Sequence, residues 1–370
     1  MRQKRMVAVL LVLAMAIFAF AACTPSAPAE APSSGGTTTE TPAAPPAEEG
    51  KTFKVGFSNA STGNPWRASM MDTIYHARDT YGDMLELVIT DANDDVQKQL
   101  ADCEDLLQQG IDALILSPAV SDALAPVVDM CNDKGIPIIV FDRIINNPNF
   151  TAYVATDNHE VSIPVAEKIM EVWPDGATIY YLSGIAGAGP DIERTEGIMQ
   201  VWDGHPEYNI VGQTDAYWNE ADGMTGAEDA LQAHPKGTLD MLLCSDGNTS
   251  IGALRAVDAA GRFDDVRVVA FDAWRTDSLM NIKDERILPY TTMLGTYVGA
   301  VTVNTTMQIL LGATITASDK YVRIPCPVIT LDNVESFYDP NVAPTDYPWR
   351  PAYEMFMADN FYNQFTNPVK

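Results

Sequence analysis

The sequence predicts an α/β protein of two Rossmann-like lobes, each built on a parallel sheet. Three observations predict it. Nearly continuous apolar runs of strand length alternate with amphipathic helical stretches, the pattern of strands covered on both faces. Two stretches repeat one another: IDALILSPAVSDALAPVVDMCNDKGIPIIVFD (111–142) and LDMLLCSDGNTSIGALRAVDAAGRFDDVRVVAFD (239–272). Each runs strand, turn, helix, Gly-containing turn, and a second strand ending Phe-Asp. The body from residue 51 to residue 370 is also long for one core and suits two.

Taken in order, the chain opens with the basic MRQKR and an apolar run over 6–22 that stops at Cys23. A charged start, a short apolar run and small residues at the stop describe a secretory signal peptide, 1–22. The stop Phe20-Ala21-Ala22-Cys23 resembles the bacterial lipobox, so Cys23 is expected to be the acylated first residue of the mature protein. Residues 23–50 are almost wholly Pro, Ala, Ser, Thr, Gly and Glu, which cannot bury enough apolar area to offset ordering entropy. They read as a disordered linker between anchor and body.

The first lobe begins with FKVGFS near Thr52 and the second with TIYYLSG near Ala177. Helical stretches over 96–109 and 222–233 precede the two repeats. Cys103 and Cys131 fall on helices flanking one strand, which makes them candidates for a disulfide in an exported protein. The remaining cysteines form no C-x-x-C pair and the four histidines are scattered, so no metal site is expected. The formal charge of −27 argues against nucleic acid as a partner, since phosphate binding needs clustered Lys and Arg. Residues 338–370, rich in Pro, Tyr, Phe and Asn, form an extension that either packs back through Met355, Phe356 and Phe361 or meets a partner.

Ligands of open parallel sheets bind beyond the carboxyl ends of the strands. Ser58 and the loop to Arg67, then Asp142, Asp246 and Asp272, all follow predicted strands. A monosaccharide has apolar C–H faces and a rim of hydroxyls. Its site wants flat aromatics for the faces and charged multi-bonding groups for the rim. Trp66 and Trp218 can supply faces. Arg67, Asp142, Arg143, Asp191, Arg194, Asp246 and Asp272 can supply rim bonds, with Ser58 and Asn64 among the polar groups of the first loop.

The segments VFDR (140–143), YVATDN (153–158), GIAGAGPDIERTEG (184–197) and SDGNTSIGALRA (245–256) resemble the type I periplasmic sugar-binding proteins of ATP-driven transporters, in the ribose and galactose group. The resemblance runs from Thr52 to about Val334. It implies two lobes joined by a three-strand hinge that close on a sugar, with 51–156 plus 294–325 as the first lobe and 157–293 plus 326–337 as the second. It implies ring-hydroxyl binding by Asp142 and Arg143, sugar contacts by Arg194 and Asp272, and stacking by Trp218. Ribose binders have two phenylalanines where this chain has Trp66-Arg67, and an asparagine where Asp246 stands. The G-F-S…W-R spacing looks more like the galactofuranose-binding branch.

The resulting expectation is an extracytoplasmic lipoprotein of an ABC importer that captures a pentose or hexose, with a furanose ring among the options. It would work as a monomer beside a membrane permease and need no cofactor. A sugar sensor coupled to a membrane receptor is the alternative. Paired carboxylates in a sugar cleft also allow a glycoside-processing enzyme, but no Ser-His-Asp set or Gly-rich phosphate loop stands out.

Overall fold

The computed structural model describes residues 50–369. The expected signal peptide, Cys23 and the linker up to residue 49 lie outside the described residues. The first lobe is laid down as β1 (Phe53–Asn59), α1 (Pro65–Tyr81), β2 (Leu85–Asp91), α2 (Val96–Gln108), β3 (Ala113–Leu116), α3 (Pro126–Asp133), β4 (Ile138–Phe141) and β5 (Ala152–Ala155). The second follows as α4 (Asn158–Val172), β6 (Ala177–Ser183), α5 (Gly189–Trp202), β7 (Tyr208–Asp215), α6 (Glu220–Ala233), β8 (Met241–Cys244), α7 (Gly247–Ala260), β9 (Arg267–Ala270), α8 (Thr276–Lys283) and β10 (Tyr290–Thr292). The chain then returns through α9 (Val298–Leu310), β11 (Thr314–Ile315) and β12 (Tyr321–Arg323), and goes back to β13 (Val328–Thr330) and α10 (Val334–Phe337).

Two parallel sheets result, ordered β2-β1-β3-β4-β5-β12 and β7-β6-β8-β9. The tetrads Ala-Leu-Ile-Leu of β3 and Met-Leu-Leu-Cys of β8 are buried throughout, as strands with helices on both faces must be. In each sheet the first strand sits between its successor and the strand after that, so the connections leave it in opposite directions. That switch opens a crevice at the carboxyl ends of β1 and β6, the standard ligand position of this topology. Chain passes between the lobes run after β5, between β10 and α9, and between β12 and β13, where β12 pairs with β5 and β13 with β10.

The repeat recurs in three dimensions. β4 runs out through Phe141-Asp142 and β9 is followed by Phe271-Asp272, and both aspartates take left-handed backbone, φ 60° at Asp142 and 48° at Asp272. Aspartate tolerates this region because its short side chain can bond locally. The turn aims each carboxylate off the strand end, toward the crevice.

Two expectations need correction. Cys103 and Cys131 are free, buried thiols rather than a disulfide. Both lie in the apolar cluster of α2, α3 and β3. Burial pushes the Cys103 thiol up to about 11 and the Cys131 thiol up to about 12, so both stay protonated and unreactive in the folded protein. In the extension, α11 (Trp349–Phe356) buries Phe356, and the following turns bury Phe361, but Met355 is 61% exposed. Trp349, Tyr353 and Phe356 share the inward stripe at helical spacing, and Met355 falls off it.

The extension does pack back, and it also crosses between lobes. Asp346 and Pro344 accept backbone N–H bonds from Thr276 and Asp277 at 3.0 and 2.9 Å on the second lobe. Beyond them, Trp349 and Tyr353 pack on His76 of α1, with ring centroids 5.5 and 5.9 Å away. Asn304 of α9 donates to the Tyr353 hydroxyl at 3.0 Å. β14 (Phe365–Thr366) then pairs antiparallel with β11.

Candidate functional site

The strand ends and first turns of both lobes enclose one cavity lined by Asn64, Trp66, Arg67, Asp142, Arg143, Pro190, Arg194, Trp218, Asp246, Asp272 and Leu294. Its empty volume, mouth included, is about 370 Å³. Nine of the residues singled out in the sequence are in this lining. Ser58 and Asp191 are not. Ser58 is fully buried beneath the cavity, where its hydroxyl accepts from Gln99 Nε2 at 3.3 Å. Asp191 accepts the Gly184 N–H at 2.6 Å and so shapes the β6–α5 loop, leaving its neighbour Pro190 on the wall.

The first-lobe wall is built from the loop after β1. Asn64 caps α1 by accepting the Arg67 N–H at 2.8 Å, and Pro65 occupies the first turn, where its missing N–H costs nothing. That turn fixes Trp66 and Arg67. Arg67 Nη2 bonds Asp142 Oδ2, and Nη1 donates to Ser117 Oγ at 2.9 Å and Asn59 Oδ1 at 3.2 Å. Asp142 and Arg67 therefore form a buried, multiply bonded ion pair, the condition under which two desolvated charges are tolerated. Arg143 is held by main chain, donating from Nη1 to Ala119 O at 3.2 Å, with Asp94 Oδ1 at 3.4 Å. Burial, and Arg67 next, lower its pKa to about 10.

The second-lobe wall is organised by backbone atoms too. Arg194 donates from Nε to Asn158 Oδ1 at 3.1 Å and from Nη1 to Ser245 O at 2.6 Å, with Nη2 3.8 Å from Asp272 Oδ2. Asp272 Oδ1 accepts the Leu294 N–H at 2.7 Å. Desolvation raises its pKa well above the ordinary carboxylate range, against the lowering effect of Arg194. Asp246 caps α7, accepting the Asn248 and Thr249 N–H groups at 3.1 and 3.0 Å. Trp218 lies against Gly184, where an added Cβ would meet the indole at 2.2 Å. Only glycine leaves room for the ring.

The two indoles each carry a guanidinium beside them: Arg67 is 5.6 Å from the Trp66 ring, and Arg143 reaches across the lobes to 5.7 Å from the Trp218 ring. Arg143 Nε and Trp218 Nε1 are buried with no hydrogen-bond partner among the described residues. Buried donors of this kind are normally satisfied, and both belong to cavity-lining side chains. The sequence reading missed Leu294, whose carbonyl accepts from Trp66 Nε1 and Trp274 Nε1 at 3.0 Å each. It also missed Trp274, Asn158 and Asn248. Their only signal was proximity to a hinge crossing or to a strand end. No cluster of His, Cys, Asp and Glu suited to a metal ion is present among the described residues.

Two doubly wound lobes with a charged, aromatic cavity between their strand ends define a cleft-type binding protein. The periplasmic binding protein domain family matches residues 55–314, and the chain belongs to this family, among the type I sugar-binding proteins of ABC transporters. It is a substrate-binding protein and not an enzyme. It is 30% identical over 281 residues to the ribose import binding protein of Bacillus subtilis, covering 76% of this chain and 85% of that one. An ABC transporter solute binding protein from Bacillus halodurans, solved with bound myo-inositol, superposes with a TM-score of 0.71 at 25% identity, over 78% of this chain and 97% of that one. A galactofuranose binding protein superposes with a TM-score of 0.69 over 77% of this chain and 96% of that one, and at 20% identity it shows the shared fold alone.

Proposed function

We propose that the chain captures one neutral pentose, hexose or cyclic polyol in the interlobe cavity and hands it to an ABC permease. The observation that carries this is the make-up of the lining: two indoles, three guanidiniums and three carboxylates in a space for a small molecule. Equal numbers of formal cations and anions suit a ligand with no net charge. Planar guanidiniums and carboxylates give hydroxyls strong, directional bonds. The relatives that bind ribose and myo-inositol support the same size class.

Roles follow from position. Trp66 and Trp218 would stack on the two ring faces. Arg67, Asp142 and Arg143 would hold one part of the rim, and Arg194, Asp246 and Asp272 another. Asn64 and Asp191 would shape the walls, and Ser58 would support Arg67's surroundings from below. The lobes, 51–156 with 294–325 and 157–293 with 326–337, would rotate as rigid bodies and close on a ligand that touches both.

A furanose ring is the finer reading, supported by the G-F-S…W-R spacing of the first loop. Calorimetry against paired methyl furanosides and methyl pyranosides, with free pentoses, hexoses and myo-inositol, tests both levels. Tighter binding of furanosides is expected. Preference for pyranosides overturns the ring form, and heat from none of the panel overturns the cavity's role.

The lipoprotein reading rests on FAAC followed by a Pro/Ala/Thr linker. Acylated Cys23 would anchor a monomer to the outer face of the cell membrane. Cys23→Ala is expected to release the protein from membranes. Retention of the variant there overturns the anchor.

A further inference from the structure

The extension after residue 337 touches both lobes and reaches the cavity wall from behind. Tyr347 is buried, and its ring lies 4.9 Å from that of Trp274. Trp274 shares the Leu294 carbonyl with the cavity-lining Trp66. On its other side, the Tyr347 hydroxyl is 3.4 Å from Asn248 Oδ1. Asn248 Nδ2 in turn donates to Asp246 Oδ2 at 2.8 Å, and Arg275 Nη1 also holds Asn248 Oδ1 at 2.8 Å. One tyrosine therefore backs two cavity groups, one through an indole and one through an amide.

Two residues later the same segment is seated on the first lobe. Trp349 and Tyr353 bracket His76, and Phe356 and Phe361 are buried. Further along, Gln308 Oε1 accepts the Val369 N–H at 2.8 Å and Gln364 Oε1 accepts the Arg323 N–H at 2.8 Å. The span between the anchors at Tyr347 and Trp349 is a single proline, Pro348, whose ring fixes φ. A link this short and stiff transmits lobe rotation instead of absorbing it.

We propose that residues 338–369 are a fourth interlobe connection that restrains opening of the cleft, and that Tyr347 is a positioning residue for Asp246 through Asn248. The second half rests on the cavity being the ligand site; the first does not. Opening the lobes must either drag α11 across α1 or pull Tyr347 off Trp274. The ligand-free protein is then held nearer to the closed form than three hinge strands alone would hold it. Less reorganisation remains for the ligand to drive, which favours affinity.

The test uses Tyr347→Phe and Tyr347→Ala in the full chain. Amide hydrogen exchange on ligand-free protein reads the restraint. Tyr347→Ala is expected to speed exchange about tenfold at 293–298 and 324–328, with β1 and β6 unchanged, as local opening predicts. Acceleration confined to 274–277 and 344–349 overturns the restraint. Should Tyr347→Ala lose protection everywhere, Tyr347→Phe decides, because Arg275 still holds Asn248 and the fold is kept. That milder variant is expected to speed exchange at Asn248 and Thr249, whose N–H groups bond Asp246. It should also raise the Kd of the best-bound member of the sugar and polyol panel about threefold at an unmoved ligand-free melting midpoint. Unchanged exchange at these two amides together with an unchanged Kd overturns the positioning role. If wild type binds nothing in the panel, the cavity reading fails, and exchange alone judges the restraint and Tyr347.

Discussion

Trp66 and Trp274 donate their indole N–H groups to a single carbonyl oxygen, that of Leu294, each at 3.0 Å. One indole starts the first helix of the first lobe and the other follows β9 of the second, so a hinge carbonyl ties both lobes to one point. Trp66→Phe keeps an aromatic face and leaves Leu294 with Trp274. It is expected to cost about 1 kcal/mol of stability, the net worth of one hydrogen bond. Trp66→Ala loses the face as well and should weaken sugar binding at least about tenfold. Calorimetry and urea unfolding separate the two effects; equal Kd values for wild type and Trp66→Ala would remove Trp66 from the site.

The Arg67–Asp142 pair is expected to be the most sensitive contact of the first wall. Arg67→Met leaves a buried carboxylate without its cation, which typically costs about 3–5 kcal/mol. Asp142→Asn keeps the volume and is expected to raise Kd at least about tenfold. Binding unaffected by Asp142→Asn would show that ring hydroxyls do not use this carboxylate.

Asp272 carries a pH signature. Burial raises its folded-state pKa, so the folded protein keeps this proton to higher pH than the unfolded chain, where aspartate titrates near about 3.9. Its contribution to stability is then full below about pH 4 and falls as pH rises through the folded value. Asp272→Asn can still accept the Leu294 N–H, and it removes the ionisation. Its melting midpoint should exceed that of wild type at pH 7, with the gain vanishing toward pH 4. A gain of equal size at both values would assign the effect to packing.

Gly184→Ala tests the seat of Trp218. The new methyl must displace the indole, because the space at 2.2 Å holds no carbon. Binding should fall at least about tenfold with the lobes still folded. Near-native affinity would mean that Trp218 does not face the ligand.

Cys103 and Cys131 should both react with a thiol reagent in protein denatured without reductant, and both should resist it in the native state. Their raised pKa values and full burial give the reason. Absence of free thiol after denaturation would restore the bridge.

The two lobes were legible because their strands are short apolar blocks at repeat spacing, and the paired Phe-Asp endings marked Asp142 and Asp272 as equivalent. Trp66 and Arg67 were legible because Pro65 and the polar loop flag a helix start beside a strand end. Leu294 and Tyr347 were not. A main-chain carbonyl has no side-chain signature, and Tyr347 meets Asn248 across 99 positions of sequence. The crossing made by the extension was hidden for a like reason. Its Pro-rich approach has no periodicity, and only tertiary packing determines which lobe each end joins. Asp191 looked like a rim group but serves a loop, since an aspartate after a strand suits either task.

Main-chain atoms do much of the holding around the cavity. Ser245 O steadies Arg194, Ala119 O steadies Arg143, the Leu294 N–H steadies Asp272, and the Asn248 and Thr249 N–H groups steady Asp246. Almost any amino acid at those supporting positions offers the same peptide group. The frame is therefore robust to sequence drift in its supports, while rim side chains outside the Arg67–Asp142 pair can be exchanged without disturbing it. A lineage could retune which ligand it carries through a few substitutions at the rim, without rebuilding the scaffold that presents them.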